Sequence, residues 1–341
     1  MQKEKIQKLK SLIESPKSII IIGHKNPDGD AVGSCMGLAL FLKKLNHQVH
    51  VILPNEYPDF LNWVPFQEEI VLFSKQAELA QDLIKHSDLI FTLDFNHLSR
   101  VGEGLQKELE GADKPFVMID HHQEPDTYAE LTISNTNYGS TAELVYDCID
   151  ALGQTQLINK DIASCFYLGI MTDTGSFKFS STTARTHQVA SSLMEKGAEA
   201  HLIQQQTFDA NSFNRLKLLG KAFDNLEYLK DYHTAYIHLS QDEMDSFNCQ
   251  KGDTEGFVNY GLSIKDVVLA GIFKEDKQQN IIKISFRSKG NFDVNQFARK
   301  HFEGGGHKNA SGGKSELSLE ETIEKFVNLL DDYKTELNDA L

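Results

Sequence analysis

Ser18-Ile19-Ile20-Ile21-Ile22 is an unbroken β-branched run, the pattern of a strand buried on both faces. From Gly33 to Leu45 apolar residues return at helical spacing, so the segment between them is a loop that leaves a strand and opens a helix. The alternation continues along the chain. Val49–Leu53 reads as a strand stopped by Pro54, residues 69–73 as a short apolar run, and 75–86 as a helix. Asp88–Leu93 is a strand ending on Asp94, and Phe116–Ile119 one ending on Asp120-His121-His122. Helices are expected over 140–151, 160–171 and 183–196, the second delivering Thr172-Asp173-Thr174-Gly175 at its C-terminal end. Strands alternating with helices predict a mostly parallel sheet with helices on both faces.

The pattern changes near residue 199. The stretch 199–225 is polar and helical, with Gln204-Gln205-Gln206 in its middle, and reads as a linker helix. Beyond it, strands are expected near 234–239, 266–273 and 280–287, with a helix near 293–302. Glu303-Gly304-Gly305-Gly306-His307 reads as a flexible loop outside any regular element. The closing helix opens with a capping box, Ser318 to Glu321, and carries Leu319, Ile323, Phe326, Leu330 and Tyr333 on one packing face. The expectation is a two-domain α/β protein: a first domain over 1–198, the linker over 199–225, and a smaller α/β domain over 226–341.

Composition narrows the function. Lys and Arg number 34 against 49 Asp and Glu, a net charge of −15. That field repels long polyanions and argues against an extended nucleic-acid partner. Short phosphorylated molecules stay open if a local basic patch or metals offset the charge. Cys35, Cys148, Cys165 and Cys249 are scattered, without a CxxC pair, which suggests neither a zinc knuckle nor a disulfide framework. The N-terminal stretch is charged and lacks an apolar signal core, and no run reaches the roughly 18 apolar residues of a membrane span. A cytoplasmic protein without a membrane partner is expected. A homodimer stays open.

Within this frame the strand ends stand out. His24, Asp28, Asp30, Asp94, Asp120, His121 and His122 all fall where strands finish, the edge at which open parallel sheets bind ligands. Asp28 or Asp30 can also be read plainly, as a helix cap in a polar turn. Together with Asp173, however, His24, Asp28, Asp30, Asp94 and His121 offer oxygen and nitrogen donors of the kind hard or borderline divalent cations take. Four carboxylates converging without compensation would repel one another, and divalent cations remove that penalty. A metal pair about 3.5–4 Å apart, sharing a bridging carboxylate, activates water and clamps a phosphoryl group.

The ordered motifs GHKNPDGDAVGS, LDF with Asp94, Asp120-His121-His122 and TDTGSF resemble the DHH phosphoesterase superfamily. The later FRSKG and GGGHKNASGG resemble its DHHA1 substrate-binding domain. Length and layout are similar to the stand-alone nanoRNase/pAp phosphatase type. The resemblance implies a catalytic DHH domain, a DHHA1 domain and an active-site cleft between them. It implies that His24 and Asp28 hold one Mn²⁺, that Asp30, His121 and Asp173 hold a second, and that Asp94 bridges both, with Mg²⁺ as the alternative ion. Asp120 would orient a histidine, and His122 would meet the scissile phosphate or its leaving oxygen. Arg287 and His307 would bind substrate phosphate, with Gly304, Gly305 and Gly306 admitting it to backbone N–H groups. Arg100 either reaches phosphate as well or is simply an exposed arginine. The implied activity is hydrolysis of short nucleotides: 3′-phosphoadenosine 5′-phosphate (pAp) to AMP, or RNAs of a few nucleotides to mononucleotides. Its competitors are a phosphodiesterase for cyclic dinucleotides or linear pApA and a non-catalytic nucleotide sensor. The presence of all six candidate ligands speaks against the sensor.

Overall fold

The computed structural model describes residues 2–250 and 252–340. The chain divides into two compact units, Met1–Ala210 and Asn211–Leu341. The first contains α1 (Lys3–Leu12), β1 (Ser18–Ile22), α2 (Gly29–Lys44), β2 (Gln48–Leu53), β3 (Val71–Leu72), α3 (Ala77–Lys85) and β4 (Leu89–Leu93). It continues with α4 (Glu103–Glu110), β5 (Phe116–Asp120), β6 (Leu131–Ser134), α5 (Thr141–Ala151), α6 (Lys160–Asp173), α7 (Ala184–Glu195) and α8 (Ala200–Phe208).

Six strands pair in the order β3-β2-β1-β4-β5-β6, every neighbouring pair parallel. The order reverses between β1 and β4, so the loops leaving their carboxyl ends diverge and open a crevice there. The isoleucine run explains why β1 is central: Ile19 to Ile22 are all fully buried. β6, which the hydrophobic pattern did not reveal, is a short edge strand with only alternate residues buried.

α2 begins at Gly29, four residues before the apolar periodicity starts, because Asp28 caps it. Gly29, Gly33 and Gly37 recur at helical spacing on the face that meets α6. A Cβ on Gly33 would stand 2.5 Å from the Cys165 carbonyl oxygen, and one on Gly37 2.4 Å from the Phe166 ring. The glycines let the two helices approach almost backbone to backbone. That approach brings the start of α2 beside the end of α6.

The expected single linker helix is two helices. α8 stops at Phe208, and Ser212 caps α9 (Phe213–Asp224) by accepting from the Arg215 amide. The second unit adds β7 (Leu226–Leu229), β8 (Thr234–Leu239), α10 (Gln241–Ser246), α11 (Phe257–Leu262), β9 (Leu269–Asp276) and β10 (Ile281–Ser288). It ends with α12 (Val294–His301), β11 (Gly305–His307), β12 (Ala310–Ser315) and α13 (Leu319–Asp339). Its sheet runs β11-β12-β10-β9-β8-β7; β8 and β9 are parallel and the other pairs antiparallel. Phe326 of α13 packs on Phe273 and Phe286 of the sheet. The capping box at Ser318 and Glu321 forms in both directions.

The glycine run corrects the sequence expectation. Gly305, Gly306 and His307 form an edge strand paired to Gly312, Ser311 and Ala310. Gly304 and Gly306 are needed because a Cβ would lie 2.1 Å from the Gly312 carbonyl oxygen or 2.5 Å from that of Ala310. Close strand contact, not flexibility, selects glycine here. No helix among the described residues is long and apolar enough to cross a membrane.

Candidate metal centre

The loop leaving β1 is held from several sides before any ligand is considered. The Lys25 amide donates to the Arg100 carbonyl at 2.8 Å. Asn26, left-handed at φ 56°, donates its amide to Asn55 Oδ1 at 2.8 Å and receives Asn55 Nδ2 on its side chain at 3.1 Å. His24 is buried, and its Nδ1 lies 2.9 Å from the Lys25 carbonyl. A carbonyl only accepts, so Nδ1 carries a proton and Nε2 is the nitrogen left to meet a cation. Nε2 sits 3.4 Å from Asp94 Oδ2 and 3.7 Å from Asp28 Oδ2. The plain reading of Asp28 and the chemical one coexist: Oδ1 caps α2 through the Asp30 and Ala31 amides while Oδ2 faces His24.

Asp94 follows β4 in the left-handed region, φ 65°, and is 2% exposed. A non-glycine residue there stores strain of order 1 kcal/mol or more, which only a well-packed site sustains. Oδ1 lies 3.5 Å from His121 Nε2 and accepts the Thr141 hydroxyl at 3.0 Å. Asp30 is fully enclosed and receives the Thr141 and Ala142 amides at 2.6 and 2.9 Å. Its charge thereby rests on the positive end of α5. His121 repeats the logic of His24: Nδ1 meets the Tyr138 carbonyl at 3.1 Å, and Nε2 faces Asp173 Oδ2 at 3.1 Å and Asp30 Oδ2 at 3.9 Å. Asp173 ends α6 just before Gly175, Ser176 and Phe177, three successive left-handed residues. His122 Nδ1 is 2.7 Å from Asp120 Oδ1.

The donors converge in overlapping sets. His24, Asp28 and Asp94 bring ligand atoms within 4.8 Å of one another, and so do Asp30, Asp94 and His121, and Asp94, Asp120 and His122. Asp94 belongs to all three. The electrostatics show what such a site lacks. Burial, then the charges of Asp94 and Asp173, push the Asp30 carboxyl well above the usual range. Burial works against a charged His24, yet hydrogen bonds to Asp28 and Asp94 push it up to about 10. Burial likewise opposes protonation of His121, and Asp173 and Asp94 outweigh it. The surplus of buried carboxylates thus raises the proton affinity of Asp30, His24 and His121. Buried Asp120 Oδ2 has no hydrogen-bond partner among the described residues. An all-oxygen-and-nitrogen set with surplus negative charge fits divalent cations.

Of the other expected residues, Arg100 belongs to the first unit, and Arg287, Gly304, Gly305, Gly306 and His307 belong to the second. Arg287 is half-buried in β10, with Nη1 donating to the Phe286 carbonyl at 2.9 Å. Arg287 and His307 both register with Ala310 of β12, which puts them in one row on one face of the second sheet. The Gly306 amide donates to Asn295 Oδ1 at 3.0 Å. Arg100 is half-buried in a short 3₁₀ turn, Leu98–Val101, and serves the β1 loop through its main chain. Thr141 escaped sequence reading. Its only local signal was its place at the start of a helix, where hydroxyl residues are ordinary caps.

A parallel sheet with histidines and aspartates gathered at its carboxyl edge, followed by a mixed-sheet unit, is an arrangement shared with known proteins. The chain belongs to the DHH family. Residues 18–170 match the family's N-terminal domain, and 230–336 match the DHHA1 domain. It is similar to the bifunctional oligoribonuclease and PAP phosphatase NrnA of Thermus thermophilus, 30% identical over 92% of this chain and 89% of that protein. The probable bifunctional oligoribonuclease and PAP phosphatase NrnA of Streptococcus mutans is 29% identical over 93% of this chain and 96% of its own. Among solved structures, an exopolyphosphatase-related protein from Bacteroides fragilis is 39% identical with a TM-score of 0.94, covering 99% of this chain and 98% of that one.

Proposed function

We propose that this protein is a Mn²⁺-dependent phosphoester hydrolase of short nucleotides, converting pAp to AMP and shortening RNAs of a few nucleotides to mononucleotides. The observation that carries the reading is Asp94, whose two oxygens face His24 on one side and His121 on the other. The near full-length likeness to oligoribonucleases and PAP phosphatases supports the substrate class.

In this reading His24 and Asp28 hold one cation, and Asp30, His121 and Asp173 hold the second. Asp94 is shared. Cations held there would supply a lowered pKa for a water nucleophile and neutralisation of charge on the phosphoryl oxygens. The protein's own part is positioning. The Lys25 and Tyr138 carbonyls fix the tautomers of His24 and His121 so that Nε2 faces the carboxylates. The α5 amides keep Asp30 oriented at the same place. Asp120 holds the His122 ring by Nδ1, and His122 Nε2 is the atom we assign to the scissile phosphate or its leaving oxygen. In the second unit, Arg287, His307 and the backbone at Gly304, Gly305 and Gly306 are assigned to substrate phosphate, where a guanidinium offers paired donors. Arg100 is assigned a main-chain role.

The test is a hydrolysis screen with Mn²⁺ or Mg²⁺ over pAp, a ribodinucleotide, linear pApA and a 24-mer, with a cyclic dinucleotide, polyphosphate and pyrophosphate as controls. Turnover of pAp and the dinucleotide, lost on chelation and restored best by Mn²⁺, is expected. Turnover surviving verified metal removal rejects the mechanism. Equal rates on the dinucleotide and the 24-mer reject the substrate class.

A further inference from the structure

The rotation of the Asp94 carboxylate needs its own explanation. The backbone is fixed, left-handed and tied by the Asp94 amide to the Ile119 carbonyl at 3.2 Å. A terminal carboxylate torsion is broad and soft, so the side chain alone does not choose which way its two oxygens point. His24 and His121 cannot hold it in the working enzyme, because their Nε2 atoms are the ones assigned to cations. Thr141 Oγ1 is a donor to Oδ1 that is not itself a candidate ligand.

Thr141 is well placed for this duty. It is fully buried at the first position of α5, with stiff β-branched geometry. Its own amide donates to Asp30 Oδ2 at 2.6 Å. One residue therefore ties together two carboxylates that repel each other. Its hydroxyl occupies one lone pair of Oδ1 and leaves the remaining ones facing the histidines.

We propose that Thr141 is the positioning residue that sets the Asp94 carboxylate across both cation positions. This rests on the two-cation reading above. Loss of the hydroxyl frees the carboxylate to turn toward one position, so the weaker of two binding events suffers most. The experiment titrates Mn²⁺ into metal-stripped wild type, Thr141→Val, Thr141→Ala and Thr141→Ser by calorimetry, with electron paramagnetic resonance to detect the coupled ion pair.

Wild type is expected to bind two ions and show the coupled signal. Thr141→Val should weaken the second ion by about ten- to a hundredfold and lose the coupling. Thr141→Ser should stay within roughly threefold of wild type, because the hydroxyl that donates the bond is kept. Thr141→Ala carries the same comparison if a valine methyl facing the carboxylate prevents folding. Two ions bound equally well by wild type and the Val or Ala variant would overturn the role of Thr141 while leaving the two-cation site intact. Equal losses in the Ser and Val variants would overturn it too, by showing that packing of the methyl matters. Failure of wild type to bind two ions would overturn both readings.

Discussion

Gly33→Ala should separate two helices that hold the candidate centre together. The added Cβ would stand 2.5 Å from the Cys165 carbonyl oxygen and 2.9 Å from the Gly169 nitrogen. Both obstacles are main chain, so no side-chain rotation relieves them, and α2 and α6 must move apart by roughly 1 Å to restore ordinary contact. Overpacking of this kind costs about 1–3 kcal/mol, with backbone obstacles at the upper end. Alanine returns about 1 kcal/mol through helix propensity. The net loss is about 2 kcal/mol, and at roughly 2–4 °C per kcal/mol for a unit of this size the Tm falls by about 4–8 °C. The control is Gly220→Ala in α9, where a Cβ meets nothing within 4 Å. That change should stabilise the second unit by about 0.5–1 kcal/mol. Calorimetry on the metal-free full chain reads each transition. The displacement also carries Asp30 away from the α5 amides, so Mn²⁺ binding should weaken in Gly33→Ala and remain normal in Gly220→Ala. An unchanged or raised Tm for Gly33→Ala refutes the close-approach argument.

Three further outcomes are expected. Asp94→Ala should lose both cations and turnover together, whereas His122→Ala should retain cations with slower turnover; two full-occupancy ions in purified Asp94→Ala would show that it bridges nothing. Arg287→Lys should raise KM about ten- to a hundredfold for substrates with a second phosphate and leave metal content unchanged. Equal kcat/KM losses on substrates lacking that phosphate would assign Arg287 to the fold. Glu243 accepts from Asn225, the Ser240 amide and Lys221, and although burial opposes it these bonds hold its carboxyl down at about 2. A carboxyl depressed on folding contributes stability that is present above its unfolded pKa and lost as pH falls toward the folded value. Glu243→Gln should therefore cost the second unit about 1–2 kcal/mol at neutral pH, allowing for solvent screening. The difference should close between about pH 4.5 and 2. A difference independent of pH in urea titrations would contradict the assignment.

The strand runs were legible in the chain because burial on both faces leaves a direct signature, and the family resemblance because its motifs stand in order along the chain. Ser18–Ile22 and Leu89–Leu93 could hardly be anything but interior strands, and their ends carry His24 and Asp94. Edges were not legible. β6, β7 and β11 are short, half-exposed or glycine-rich, and pairing partners far along the sequence decide them. The run Gly304-Gly305-Gly306 looked mobile because glycine permits motion; only the contact with β12 shows that it permits proximity instead. The same limit applies at the centre. Spacing identified carboxylates and imidazoles at one sheet edge, yet it could not show that Asp28 caps α2 with one oxygen while turning the other to His24. Nor could it show the left-handed turn of Asp94, or Thr141 reaching it from 47 positions away. Local patterns report which residues avoid water. Which polar atoms meet depends on helices packed through Gly29, Gly33 and Gly37, a property of the assembled unit that no window of sequence contains.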